Sequence, residues 1–337
     1  MATFLFFIIS FSFTLSFLLI YKKICIKYNF VDVPTIDNVH KKFIPTGSGI
    51  IFYIVFFLSI FLISFIYDAK VNFFFLQKNF IILIIALTFL SFLSFYDDLR
   101  DIHPIIRLFF QFITIFICTS LFDLSKINIP LKLSIFFIVY FWVYIINIIN
   151  FTDGSDGFLT VNSLTFFFFI FFYFNQLNNY NICYFVSLIV IPILLAYLIL
   201  NKPPAQIFMG DSGSIFLGFL IGFISINMIL SNRFDLIISL LAYPFLDCTI
   251  TIIKRVLKGN YPWARLFDYY FLIPIKNKSN HKNVFYTNCI YNFFISIIVF
   301  FQIIFELKAL SILSVILALI VLYYYKSFDI LRKIKKN

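Results

Sequence analysis

The chain has 337 residues, of which 62% are hydrophobic and 12% charged, with 53 Phe, 20 Tyr and a formal net charge of +11. That composition excludes a water-soluble globular protein and makes lipid the main solvent. Five cysteines (Cys25, Cys118, Cys183, Cys248, Cys289) lack C-x-x-C spacing, arguing against zinc or a disulfide framework, and the basic residues sit between apolar runs rather than in an aromatic-basic reader, so anionic lipid and anionic substrates, not nucleic acid, are the expected partners.

A helix crosses the hydrocarbon core with about 20 mostly apolar residues. Runs of that kind recur along the whole chain and predict helices at about 2–20, 49–67, 80–96, 105–122, 131–149, 158–174, 182–200, 214–230, 234–253, 289–305 and 309–325. The expected fold is an all-α, polytopic bundle of about eleven transmembrane spans forming a single domain, 1–337. The first run lacks a basic leader region and an Ala-x-Ala cleavage site, so it reads as a retained span. The basic tail Lys326, Arg332, Lys333, Lys335, Lys336 asks for a cytoplasmic C-terminus and, with eleven spans, an N-terminus outside. This assignment puts 20 of 26 Lys and Arg inside. It also puts eleven acidic residues inside against four outside (Asp68, Asp123, Asp235, Glu306). Acidic residues follow the inside rule weakly, so the split points to a function on the cytoplasmic face.

The inner loops and helix ends carry the candidate chemistry. After the first span come His40-Lys41-Lys42 and then Gly47-Ser48-Gly49, whose glycines either let backbone approach a ligand or simply enter the second span. Asp97 and Asp98 end the third span; adjacent on a helix, they face about 100° apart and so suit different tasks, one holding a cation and one accepting a proton. A solvated helix end with Arg100 as partner is the plain alternative. Asn147, Asn150, Asp153, Gly154, Asp156 and Gly157 close the fifth span. The two asparagines lie on one helix face, able to aim amides toward the following carboxylates, and polar groups at that depth are costly unless they work or pair. Gly210-Asp211-Ser212-Gly213 opens the eighth span, where backbone N–H groups favour anions, Ser212 caps the helix or touches phosphate, and the oxygen-rich setting suits magnesium. The longest loop, 254–288, is basic; Arg255, Arg265, Asp268 and His281 are its candidates for phosphate or sugar contact.

Taken in order, Asp32 to Gly49, Asp97-Asp98, the N-x-x-N-x-x-D-G-x-D-G stretch from Asn147 to Gly157, and Gly210-Asp211-Ser212-Gly213 resemble the polyprenyl-phosphate N-acetylhexosamine-1-phosphate transferases, the family that includes the phospho-muramoyl-pentapeptide transferase. The resemblance implies transfer of a sugar 1-phosphate from a UDP-N-acetylhexosamine, N-acetylglucosamine or a derivative, to undecaprenyl phosphate, with release of UMP. That would be the first step of a lipid-linked cell-envelope polysaccharide such as O-antigen, at the cytoplasmic face of a bacterial inner membrane. By the same resemblance Mg2+, with Mn2+ as a substitute, is the cofactor, Asp211 ligates it with Asp156, and Asp97 and Asp98 position or deprotonate the lipid phosphate. Asn150, Asp153 and Asp156 then shape the nucleotide and pyrophosphate site. A homodimer is a further expected arrangement.

The chain departs from that family in one respect. The histidine-rich motif of the last large loop is replaced by Trp263-Ala264-Arg265-Leu266-Phe267-Asp268-Tyr269-Tyr270-Phe271, with His281 following. Arg265, Asp268 and His281 are expected to take over its contacts, and the pentapeptide-transferase alternative is weakened. An ion-coupled transporter, the alternative from another class, needs its polar site near mid-bilayer. A CDP-alcohol phosphotransferase needs Ala-Arg after the first Asp-Gly pair, where this chain has Ser155-Asp156.

Overall fold

A backbone in hydrocarbon must satisfy its own N–H and C=O groups, so apolar runs of this length fold as helices. The computed structural model describes residues 2–32, 43–66, 77–124, 129–264, 266, 268–277 and 279–334. The candidates His40, Lys41 and Arg265 lie outside the described residues. Helices α1 (Ala2–Lys27), α2 (Gly49–Ile66), α3 (Lys78–Arg100), α4 (Pro104–Cys118), α5 (Leu131–Phe151), α6 (Phe158–Gln176), α7 (Ile182–Asn201), α8 (Gly210–Leu230) and α9 (Phe234–Leu257) follow in order. The short α10 (Ile273–Lys276) then precedes α11 (His281–Ile304) and α12 (Ser311–Ile334). Between α1 and α2 two short strands, β1 (Val31–Asp32) and β2 (Ile44–Pro45), pair antiparallel, Val31 opposite Pro45 and Asp32 opposite Ile44.

Each of the eleven predicted spans is a helix. Ten are long and apolar enough to cross a membrane, while the apolar part of α2, Gly49–Phe65, is somewhat shorter. The helices overrun the predicted bounds chiefly at the ends assigned to the inside: α3 reaches Arg100, α9 reaches Leu257, and α8 and α11 begin at Gly210 and His281. Hydropathy ends where polar side chains begin, but helical hydrogen bonds do not. Asp97, Asp98 and Asp211 therefore sit on helices.

The bundle is built around α8, whose side chains from Ser212 to Ile226 are all buried. Helices α2, α3, α5 and α9 pack against it. Trp142 of α5 is fully buried and its Nε1 donates to the Phe219 carbonyl at 2.9 Å, fixing the depth of α5 against α8. At the carboxylate-bearing end the segment before α2 is laced to the segment before α8. Phe208 N donates to the Pro45 carbonyl at 2.8 Å, Gly49 N to the Met209 carbonyl at 2.9 Å, and Ser48 Oγ to the Phe208 carbonyl at 2.9 Å. A Cβ on Gly49 would lie 1.9 Å from Gly213 N, so only glycine permits this approach. The resulting contact holds the first turn of α8, and with it Asp211, in one place.

Candidate active site

The adjacent carboxylates of α3 diverge as the helical period requires. Asp98 turns to α8: its Oδ1 accepts the Asp211 N–H at 2.8 Å and its Oδ2 the Ser212 N–H at 3.1 Å. These are orphan donors of a helix N-terminus, where the helix dipole also favours negative charge. Gly210 precedes them in the left-handed region, φ +69°, and a Cβ there would stand 2.6 Å from both Asp98 oxygens. Asp97 turns to the start of α4. It accepts the Ile102 N–H and pairs with Arg107. His103 caps α4 through its Nδ1, which accepts the Ile105 N–H at 3.3 Å, and Pro104 follows at the first helical position, which needs no N–H donor.

Arg107 joins the two arms. Its Nη1 contacts both Asp97 Oδ2 and Asp211 Oδ2. The other oxygen of Asp211 accepts from Asn150 Nδ2 at 3.0 Å, and the same amide reaches Ser214 Oγ at 3.0 Å. Asn150 was expected to face Asp153 and Asp156. It meets Asp211 instead because α5 ends at Phe151 and the chain turns away, leaving the first turn of α8 as its neighbour. Asn147, one turn deeper, donates to Gln111 Oε1 at 2.8 Å rather than to a carboxylate.

These groups open onto a cavity of about 550 Å3, lined at its polar end by Arg107, Asn147, Asn150, Asp153 and Asp211. Its remaining walls include Leu108, Phe112, Tyr140, Val143 and Ile252 at the depth of the helices, and Pro262, Trp263, Leu266, Tyr269 and Leu272 from the loop after α9. Asp153, in the loop between α5 and α6, has a pKa raised well above the ordinary carboxylate range, first by desolvation and then by the neighbouring charges of Asp211, Asp98 and Asp156. Asp97 and Asp211 thus meet on one guanidinium, with Asp98 bound to the first turn of α8 beside Asp211 and Asp153 near enough for its charge to feel both Asp98 and Asp211.

Asp156, expected to share a metal with Asp211, is placed elsewhere. It is buried, its Oδ2 accepts the Ala205 N–H at 2.9 Å, its Oδ1 lies 3.4 Å from His281 Nδ1, and it does not line the cavity. His281 opens α11 and also stands 3.3 Å from Ser155 Oγ. Asp156 and His281 therefore tie α11 and the loop before α8 to the turn that carries Asp153. Ser212 is buried too, its hydroxyl donating to the Met209 carbonyl at 3.1 Å. Arg255 and Asp268, two separate candidates in the sequence, form a pair with each other.

The carboxylate set fits magnesium. Asp211 and Asp153 face the cavity with oxygen ligands, and among the described residues no group of three or more His, Cys, Asp or Glu side chains is gathered to hold a metal unaided. Mg2+ usually takes one or two carboxylates and completes its shell with water and substrate phosphate. The sequence reading missed Arg107: a lone arginine near a span end looks like a topology signal, and only its ten-residue distance from Asp97 across a helix turn hints otherwise.

Residues 80–229 match the model of glycosyl transferase family 4. Over 260 residues the chain is 28% identical to the probable undecaprenyl-phosphate N-acetylglucosaminyl 1-phosphate transferase of Bacillus subtilis (strain 168), covering 71% of this chain and 67% of that protein. It is 27% identical over 252 residues to a phospho-N-acetylmuramoyl-pentapeptide-transferase of Campylobacter lari, covering 64% and 68%. The protein of the same name from Leuconostoc citreum is 37% identical over 91 residues, only 26% of this chain and 28% of that one. The matches thus span from about a quarter to about two thirds of these relatives.

Proposed function

The chain belongs to glycosyl transferase family 4, and from that premise we propose that it transfers a sugar 1-phosphate from a UDP-N-acetylhexosamine to undecaprenyl phosphate. An oxygen of the acceptor phosphate attacks the phosphorus that bears the sugar, the bond from that phosphorus to UMP breaks, and a lipid-linked sugar pyrophosphate forms. The carboxylate-bearing end of the bundle then faces the cytoplasm across a bacterial inner membrane. N-acetylglucosamine or a derivative is the proposed sugar, and an envelope polysaccharide the downstream product.

One observation carries the reading: at one end of a single cavity Asp211 of α8 meets Arg107, itself paired with Asp97 of α3, and Asn150, with Asp153 of the α5–α6 loop lining the same end, while the deeper walls are apolar. Such a cavity suits a water-soluble nucleotide and a lipid headgroup at once. Phosphoryl transfer asks for alignment and charge neutralisation more than covalent chemistry. Asp211 and Asp153 would hold magnesium, which when bound supplies neutralisation of the pyrophosphate charge. Arg107 is placed to bind an anionic phosphate from the α4 side, and Asn150 orients the Asp211 carboxylate. Asp98 holds the α8 N-terminus in position rather than meeting the acceptor directly, since both its oxygens accept backbone N–H groups. An ion-coupled carrier is disfavoured because these carboxylates collect at one end of the helices rather than midway.

The test is UMP release by purified protein in detergent with undecaprenyl phosphate, magnesium and a panel of UDP-sugars that includes the muramoyl pentapeptide. We expect release from UDP-N-acetylglucosamine that needs both lipid and magnesium and is lost in Asp211→Asn. Release with the pentapeptide donor alone would move the protein to the peptidoglycan branch, and no release with any donor would end the reading.

A further inference from the structure

Arg107 serves two carboxylates whose surroundings differ. The Asp97 side chain is 6% exposed, its two oxygens are taken by the Ile102 N–H and by Arg107, and it does not line the cavity. The Asp211 side chain is 30% exposed and does line the cavity. Asn150 donates to one Asp211 oxygen, so among the described residues Arg107 occupies the oxygen that no other side chain holds. The two halves of the bridge are therefore unequal. Breaking a buried ion pair strands a charge away from water and is costly, whereas a partly exposed pair contributes little and exchanges readily. Arg107 thus keeps Asp97 and can release Asp211.

A divalent cation that enters the cavity and binds Asp211 meets this same oxygen. A guanidinium and a divalent ion sharing one carboxylate oxygen would stand only a few ångströms apart, where like charges repel strongly, so each excludes the other. Resting on the magnesium reading above, we propose that Arg107 is an internal counter-ion that Mg2+ displaces from Asp211, and that Asp97 is the positioning residue that retains the displaced guanidinium. The affinity of Asp211 for the metal is then set partly by Asp97, a carboxylate that does not touch the metal. Arg107 itself lines the cavity, so its released donors stay within reach of an anionic phosphate. Exchange of the one cation for the other thus couples metal binding to the freeing of an anion-binding group.

The test is a calorimetric titration of full-length protein in a neutral detergent with MgCl2, in the absence of nucleotide and lipid. Arg107→Ala should bind Mg2+ roughly two- to fivefold more tightly than wild type, the range set by a partly exposed ion pair, although its turnover falls. Asp97→Asn should bind it more weakly by a similar factor, because the guanidinium then has Asp211 as its one carboxylate. The decisive protein is Asp97→Asn/Arg107→Ala, which has the net charge of wild type and strands no buried charge, and so carries the test even if Arg107→Ala does not fold. If Arg107 acted through its field alone, the double variant would bind Mg2+ as wild type does. Displacement requires it to bind as tightly as Arg107→Ala. Wild-type affinity in the double variant, or weaker binding in a folded Arg107→Ala, overturns the proposal and leaves the transferase reading standing. A wild-type protein that takes up no Mg2+ overturns both the proposal and the magnesium reading beneath it.

Discussion

Arg107 contacts Asp97 and Asp211 together, so deleting it removes a bridge as well as a charge. Arg107→Ala should lower kcat/KM by about a hundredfold or more, the usual loss on removing one preorganised donor from a charged transition state. Arg107→Lys should recover only part, because a point charge on a flexible stem cannot reproduce the planar guanidinium between two carboxylates; steady-state kinetics on the three proteins decides this. Asp153 makes the opposite demonstration. Its pKa is raised in the folded protein, so the cost of ionising it is absent below the unfolded value near 3.9 and grows as pH rises through the folded value. Asp153→Asn removes that cost. Thermal unfolding should show the variant more stable than wild type at pH 8, with a smaller gain at pH 5, while turnover falls. Function at this position is bought with stability.

At the scale of elements, the first turn of α8 is the part everything else holds. It is gripped by Asp98 from α3, by Asn150 from α5 and by the segment before α2. Gly210→Ala would push a methyl into the Asp98 carboxylate from a left-handed backbone position, and should abolish turnover and lower the melting temperature by several degrees, readable in the same unfolding assay. How this was legible beforehand differs by residue. Asp97, Asp98, Asn150, Asp153 and Asp211 stand out because an apolar chain has few reasons to keep carboxylates and amides at helix ends. Their mutual partners do not, because which carboxylate Asn150 meets depends on how α5 and α8 pack, not on spacing along α5. Arg255 and Asp268 were legible as polar residues but not as a pair, since the bond between them closes a loop whose course no local pattern dictates. Helix existence was read from hydropathy; helix ends were not, since hydrogen bonding continues where hydropathy stops.

For the whole molecule, the cavity joins two media. Its carboxylates are drawn from widely separated stretches of sequence; Arg107 pairs with Asp211, while Asp153 feels the charges of Asp211, Asp98 and Asp156. A divalent cation should therefore stabilise the folded protein even without substrate. Millimolar magnesium should raise the melting temperature at pH 8 more than at pH 5, where protons compete for Asp153, and should do little to Asp211→Asn. An unchanged melting temperature in all four conditions would remove the cation from this site. The apolar part of the cavity, between Phe112, Tyr140 and Ile252, bears on pharmacology. A small molecule with an anionic head and an alkyl tail would reach this pocket by lateral diffusion within the leaflet, so its working concentration is set by partition into the bilayer. Potencies measured in different detergents or cells would rank such compounds by membrane loading as much as by fit.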